Sequence, residues 1–149
     1  MRKEHIMRKI RQGVFETNSS STHSISVHNY GDYDSIAPNA DGVIYVSGGD
    51  FGWDQETFTD PESKLSYLMI YVRDWVRDVL LQNMYDQILT EVVCAHTHAT
   101  GIHMDANSGY IDHQSVECGQ LDYLFREPQL IKDFVFNRAS YVETDNDNH

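Results

Sequence analysis

The sequence predicts a single α+β domain, a small antiparallel or mixed sheet packed on one long helix with a potential break. Three observations predict it. From 61 to about 94, apolar residues recur at the three-and-four spacing of an amphipathic helix. Short alternating or β-branched runs flank that stretch on both sides. A length of 149 residues suits one domain, with enough core to fold without disulfides.

The elements follow in order. Residues 10–16 form a short strand or an ordered lead-in, and TNSSST at 17–22 a polar loop. HSISVH at 23–28 alternates, with Ile25 and Val27 on one face, and reads as a strand. GVIYVSGG at 42–49 is a strand ending at a glycine pair, and FGWDQETFTD at 51–60 an aromatic loop. Asp60 as N-cap and Pro61 in the first turn then open the helix. Its stripe runs through Leu65, Leu68, Val72, Trp75, Val76, Val79 and Leu80, with Asn83 the expected weak point. Val72, Trp75, Val76 and Val79 are therefore expected to be mostly buried. GIHMDANSGYIDHQS at 101–115 has the look of a hairpin around Asn107, Ser108 and Gly109. LDYLF at 121–125 is a short helix, QLIKDFVF at 129–136 a helix or strand, and ASYVETD at 139–145 a last strand. The expected organisation is a basic extension over 1–11, one domain over 12–144 and a polar tail over 145–149. Met1 and Met7 are both plausible starts.

Charge is unevenly placed. The net charge is -12, yet residues 1–11 carry five basic side chains and one acidic. The rest holds six basic and 22 acidic side chains. A body this acidic repels phosphate backbones, which argues against nucleic acid and leaves two readings: solubility, or docking on a basic partner. No run approaches 18 apolar residues, so no membrane helix is expected. The polar N-terminus lacks a secretory h-region, which points to the cytoplasm. Cys94 and Cys118 then read as reduced thiols rather than a disulfide framework.

Three groups of residues could carry chemistry. The first is GVFETNSSSTHS at 13–24, where a hydroxyl-rich loop lies between Val14, Phe15 and Ile25, Val27. A loop held at both ends can turn hydroxyls and N–H groups toward an anion, although the glycines and lysine of a Walker A loop are missing. The second is Cys94, His96, His98, His103, His113 and Cys118. Six possible zinc ligands within 25 residues are dense, but the spacing matches no standard zinc pattern and no metal site is expected. The third uses His98-Ala99-Thr100 and His113-Gln114-Ser115 as paired proton-transfer and phosphate-holding units. Phe51, Trp53 and Phe58 suit a core cluster better than a base-stacking platform.

GVFETNSSSTHSISV, with FGW at 51–53, YIDHQS at 110–115 and FVFNRASYVETDNDN, resembles a family of small bacteriophage and bacterial proteins of unassigned activity, with an N-terminal FETNSSSTHS signature. The resemblance implies a phage or mobile-element origin, hence a host cytoplasm, and no particular chemistry.

Two functions stay open from the residues. In one, the chain acts on a phosphorylated or nucleotide-like small molecule. Asn18, Ser19, Ser20, Ser21 and Ser115 would bind the anion, and His23, His113 and Asp112 would move protons. This predicts His23 or Asn18 at about 3 Å from the 110–115 strand. In the other, the chain is a non-enzymatic acidic protein that binds and alters a host protein. Neither reading assigns a cofactor.

Overall fold

The structure, a computed structural model, describes residues 7–12, 21–52, 54–112 and 121–146. In chain order the elements are β1 (Met7–Gln12), β2 (Ser21–His28), β3 (Val43–Val46), β4 (Asp50–Phe51), β5 (Glu56–Phe58), α1 (Pro61–Trp75), α2 (Val79–Thr97), β6 (Gly101–Met104), β7 (Tyr110–Ile111), α3 (Asp122–Arg126), α4 (Pro128–Phe136) and β8 (Tyr141–Asn146). The class is α+β, as the sequence predicts.

The main sheet is antiparallel, in the order β1-β2-β8-β5. In register, Ile25 pairs with Ile10 on one side and with Val142 on the other. As an inner strand, β2 is covered on both faces: every residue from His23 to His28 is buried. Part of the basic stretch expected as an extension thus supplies a strand, β1. At the other end β8 runs to Asn146, into the segment expected as a tail.

Two further strand pairs are parallel. β3 pairs with β6, placing Ile44 beside Ile102, and β4 pairs with β7, placing Phe51 beside Ile111. Parallel pairing needs a crossover, and α1 and α2 supply it. The hairpin expected at 101–115 is therefore not formed: β6 and β7 each take an earlier strand as partner instead of one another. A turn does stand between them, with Gly109 at φ +71°. The aromatic loop expected at 51–60 is likewise interrupted, by the end of β4 and by β5.

The long helix is two helices, and the break lies at 76–78 rather than at Asn83. Capping explains its place. Asp60 caps α1 through the Ser63 N–H at 2.9 Å, and Pro61 occupies the first turn. Val76 turns extended, and Asp78 accepts the N–H groups of Leu80 and Leu81 at 2.9 and 3.3 Å. The Gln82 amide donates back to the carbonyls of Val72 and Arg73 at 2.9 and 3.0 Å. Donors opening α2 and acceptors closing α1 are thus satisfied at one joint. Asp78→Ala should lower stability by about 1 kcal/mol in urea unfolding, the ordinary value of an N-cap. A change under about 0.3 kcal/mol would mean that Gln82 holds the joint alone.

α1 is buried nearly all round, including Lys64, Ser66, Tyr67 and Tyr71 as well as its leucines. Phe51 meets Tyr67 edge-on at 4.9 Å, and Phe58 packs on Phe51 at 4.9 Å, so these two rings belong to the core; Trp53 lies outside the described residues. Val72 and Val76 are buried as expected. Trp75 is only half-buried, and its indole nitrogen has no partner among the described residues. Val79 and Leu80 are exposed, because the break resets the helical phase before α2 begins. Among the described residues no helix is long and apolar enough to cross a membrane.

Candidate functional site

His23 is fully buried on β2. Its Nδ1 lies 3.0 Å from the Tyr67 hydroxyl of α1, and its Nε2 lies 3.3 Å from the Gly52 carbonyl. A carbonyl oxygen only accepts, so Nε2 carries the proton. Burial lowers the pKa of His23 to about 4, against weaker upward pulls from the Gly52 carbonyl and the charge of Asp112. The ring is therefore neutral at pH 7, Nδ1 is an acceptor, and Tyr67 donates to it. Both ring nitrogens are engaged, and the imidazole bridges a helix to the loop after β4.

Asp112 follows β7 and is buried. Its N–H donates to the Phe51 carbonyl at 2.9 Å, which continues the β4–β7 pairing by one residue. That pairing brings Asp112 to the neighbourhood of Gly52, and its carboxylate acts electrostatically on His23. The start of β2 and the end of β7 thus come together, although among the described residues His23 bonds to Tyr67 and Gly52 instead of residues 110–112. Ser21 lies at the start of β2, opposite Asn146 of β8. Asn18, Ser19, Ser20, His113 and Ser115 lie outside the described residues, as does Cys118.

A second polar centre stands at the far end of β2. Lys64 is fully buried, and its ammonium donates to the carbonyls of Asn137 and Ser140, each at 2.8 Å. Burial lowers its pKa to about 8, opposed by the charges of Asp34 and Asp60. The Ser140 hydroxyl accepts the His28 N–H at 2.8 Å and donates to the Asp133 carbonyl at 2.7 Å. Tyr33 donates to Asp133 at 2.6 Å. This network joins α1, β2 and the turn between α4 and β8. Its lysine is spent on backbone carbonyls, so it offers no open nucleophile.

The other histidines disperse. His96 donates to the Asp34 carbonyl at 2.8 Å and lies over Phe136 at 4.1 Å. His98 ends α2 in the left-handed conformation, its N–H bonded to the Cys94 carbonyl. His103 pairs with Asp105 at 3.2 Å on the surface. Thr100 donates to the Gly42 carbonyl at 3.2 Å. Among the described residues no group of three His, Cys, Asp or Glu side chains could hold a metal ion.

Tyr67 and Lys64 escape sequence reasoning because each reads as an ordinary helix residue. A signal was present: positions 64, 67, 68 and 71 share one helical face with the apolar stripe, so a lysine there must be buried and bonded. Neither a protein family, nor a curated protein, nor a solved structure matches the chain.

Proposed function

We propose that this chain is a non-enzymatic, acidic interaction protein that binds and alters a partner protein, a host protein if its phage-like signature reflects its origin. The observation that carries this reading is an apolar ridge at the start of α2. Val79, Leu80 and Met84 are 66%, 79% and 54% exposed. Leu80 and Met84 stand one turn apart on one helical face, and clustered exposed apolar side chains mark contact surfaces. The net charge of -12 favours a basic partner around such a ridge and speeds its approach.

The state of the polar residues supports the same reading. A proton-transfer site needs a ring nitrogen within reach of substrate, and both nitrogens of His23 are bonded inside the core. A phosphate site needs positive potential, and three of the described cations are already engaged: Arg73 by Asp74, Arg138 by Asp34, and Lys64 by carbonyls. The phosphate-handling alternative draws its support from the charge of Asp112 acting on His23.

The test places a photoreactive residue at Met84 and crosslinks in host cells. One discrete, salt-sensitive adduct with a basic protein is expected, lost with Leu80→Asp and retained with His23→Gln. No adduct, or one indifferent to Leu80→Asp, overturns the proposal. Turnover of a phosphomonoester or nucleotide that disappears with His23→Gln would establish the alternative.

A further inference from the structure

We infer that the groove between α1, α2 and β6 is a binding site for a small primary ammonium compound with an apolar body. The groove has a volume of about 400 Å³, within the range of small-molecule sites. It lies apart from the α2 ridge and from His23. Its walls are mixed, with an apolar side: Leu89 is buried, while Met69, Ile102 and Met104 are half-buried and line it beside Arg73, Asp86, Thr90 and His103. Two methionines give an adaptable lining, able to close on an aromatic or branched aliphatic group.

The charges at the groove select the sign of the ligand. Arg73 lines it but is already saturated. Its Nε and one Nη donate to Asp74, each at 2.8 Å, and its Nη groups also donate to the carbonyls of Ser108 and Gly109 at 2.6 and 2.9 Å. His103, at the rim, is held by Asp105. Asp86 is different. It lines the groove from α2, exposed to solvent at the rim, and none of the hydrogen bonds or ion pairs among the described residues involves it. Partial burial raises its pKa, with no neighbouring cation to offset the loss of water. Among the described residues, the one charged group lining this groove without a protein partner is thus a carboxylate. An ammonium group set against Asp86 restores a charge-assisted hydrogen bond, and the Thr90 hydroxyl beside it on α2 offers a second acceptor. An alcohol supplies only a neutral donor, and an anion is repelled.

The test is an NMR titration of the full chain with three probes of similar shape: 2-phenylethylammonium, 2-phenylethanol and 3-phenylpropanoate. The ammonium probe should perturb the amides of Met69, Leu89 and Met104. It should bind about tenfold more tightly than the alcohol, the worth of one charge-assisted bond. The carboxylate should not bind. Asp86→Asn keeps the shape of the groove and should reduce the ammonium probe to the level of the alcohol. Equal binding of all three probes, no perturbation at those residues, or a preference that survives Asp86→Asn overturns the inference.

Discussion

Urea unfolding from pH 7 down to pH 4 should show a progressive loss of stability on the order of 3 kcal/mol that traces to His23. The ring titrates near 6.5 in an unfolded chain and near 4 in the fold, because burial disfavours the imidazolium. Between those values the unfolded state binds the extra proton, so falling pH favours unfolding. The stabilisation is complete above about pH 6.5 and exhausted below about pH 4. His28, whose pKa is also lowered by burial and by the charge of Lys64, adds a contribution of the same sign. His23→Gln separates the two. Glutamine can accept from Tyr67 and donate to Gly52 without a titrating group. The variant should be less stable at pH 7 yet show a much flatter profile between pH 6.5 and 4.5. Direct NMR titration of the His23 ring provides a second reading on the native chain, and the ring should stay neutral at pH 5. Parallel profiles for wild type and variant, together with a ring that titrates near 6.5, would place His23 in contact with water.

Gly109→Ala should cost about 2–4 kcal/mol, combining left-handed backbone strain with overpacking. Gly109 has φ +71°, and a Cβ there would lie 2.5 Å from the Gly49 nitrogen and 2.7 Å from its oxygen. Neither atom can yield easily. The Tyr110 N–H bonds the Gly49 carbonyl at 2.8 Å, the Ser108 hydroxyl bonds the Ser47 carbonyl, and Arg73 grips the carbonyls of Ser108 and Gly109. Gly31→Ala is the control. Its φ is +91°, with nothing within 4 Å of an added Cβ, so only the backbone strain of about 1 kcal/mol applies. Equal costs at the two positions in urea unfolding would show that the crossing of the β3–β4 and β6–β7 segments is looser than described.

Much of the local structure was legible because its causes are local. Asp60 and Pro61 announce α1, and the alternation around Ile25 and Val27 announces β2. The joint at 76–78 was harder. The apolar spacing from Val72 to Leu80 runs on without interruption, yet three non-helical residues rotate the frame and carry Val79 and Leu80 into solvent. The turn at Gly109 was readable for the same local reason as the caps, whereas the partners of β6 and β7 were not. Their partners β3 and β4 lie on the far side of two helices, and sequence proximity favours the wrong pairing.

The candidate site divides in the same way. His23 and Asp112 stand out as polar residues beside apolar anchors, and the fold brings them into electrostatic range. The groups that determine the state of His23, the Tyr67 hydroxyl and the Gly52 carbonyl, carry no mark in the sequence.

By itself the sequence determined the α+β class, the capped start of the first helix, a strand around Ile25 and Val27 and the net negative charge. These depend on residue periodicity, capping chemistry and charge, each of which acts within a few residues or by simple summation. Only the tertiary structure decided that His23 is a neutral bridge, that Lys64 is buried on two carbonyls, that Leu80 and Met84 face water, and that Asp86 borders a partly apolar groove without a countercharge among the described residues. Desolvation and hydrogen-bond partnership depend on which distant segments pack together, and residue type leaves those pairings open.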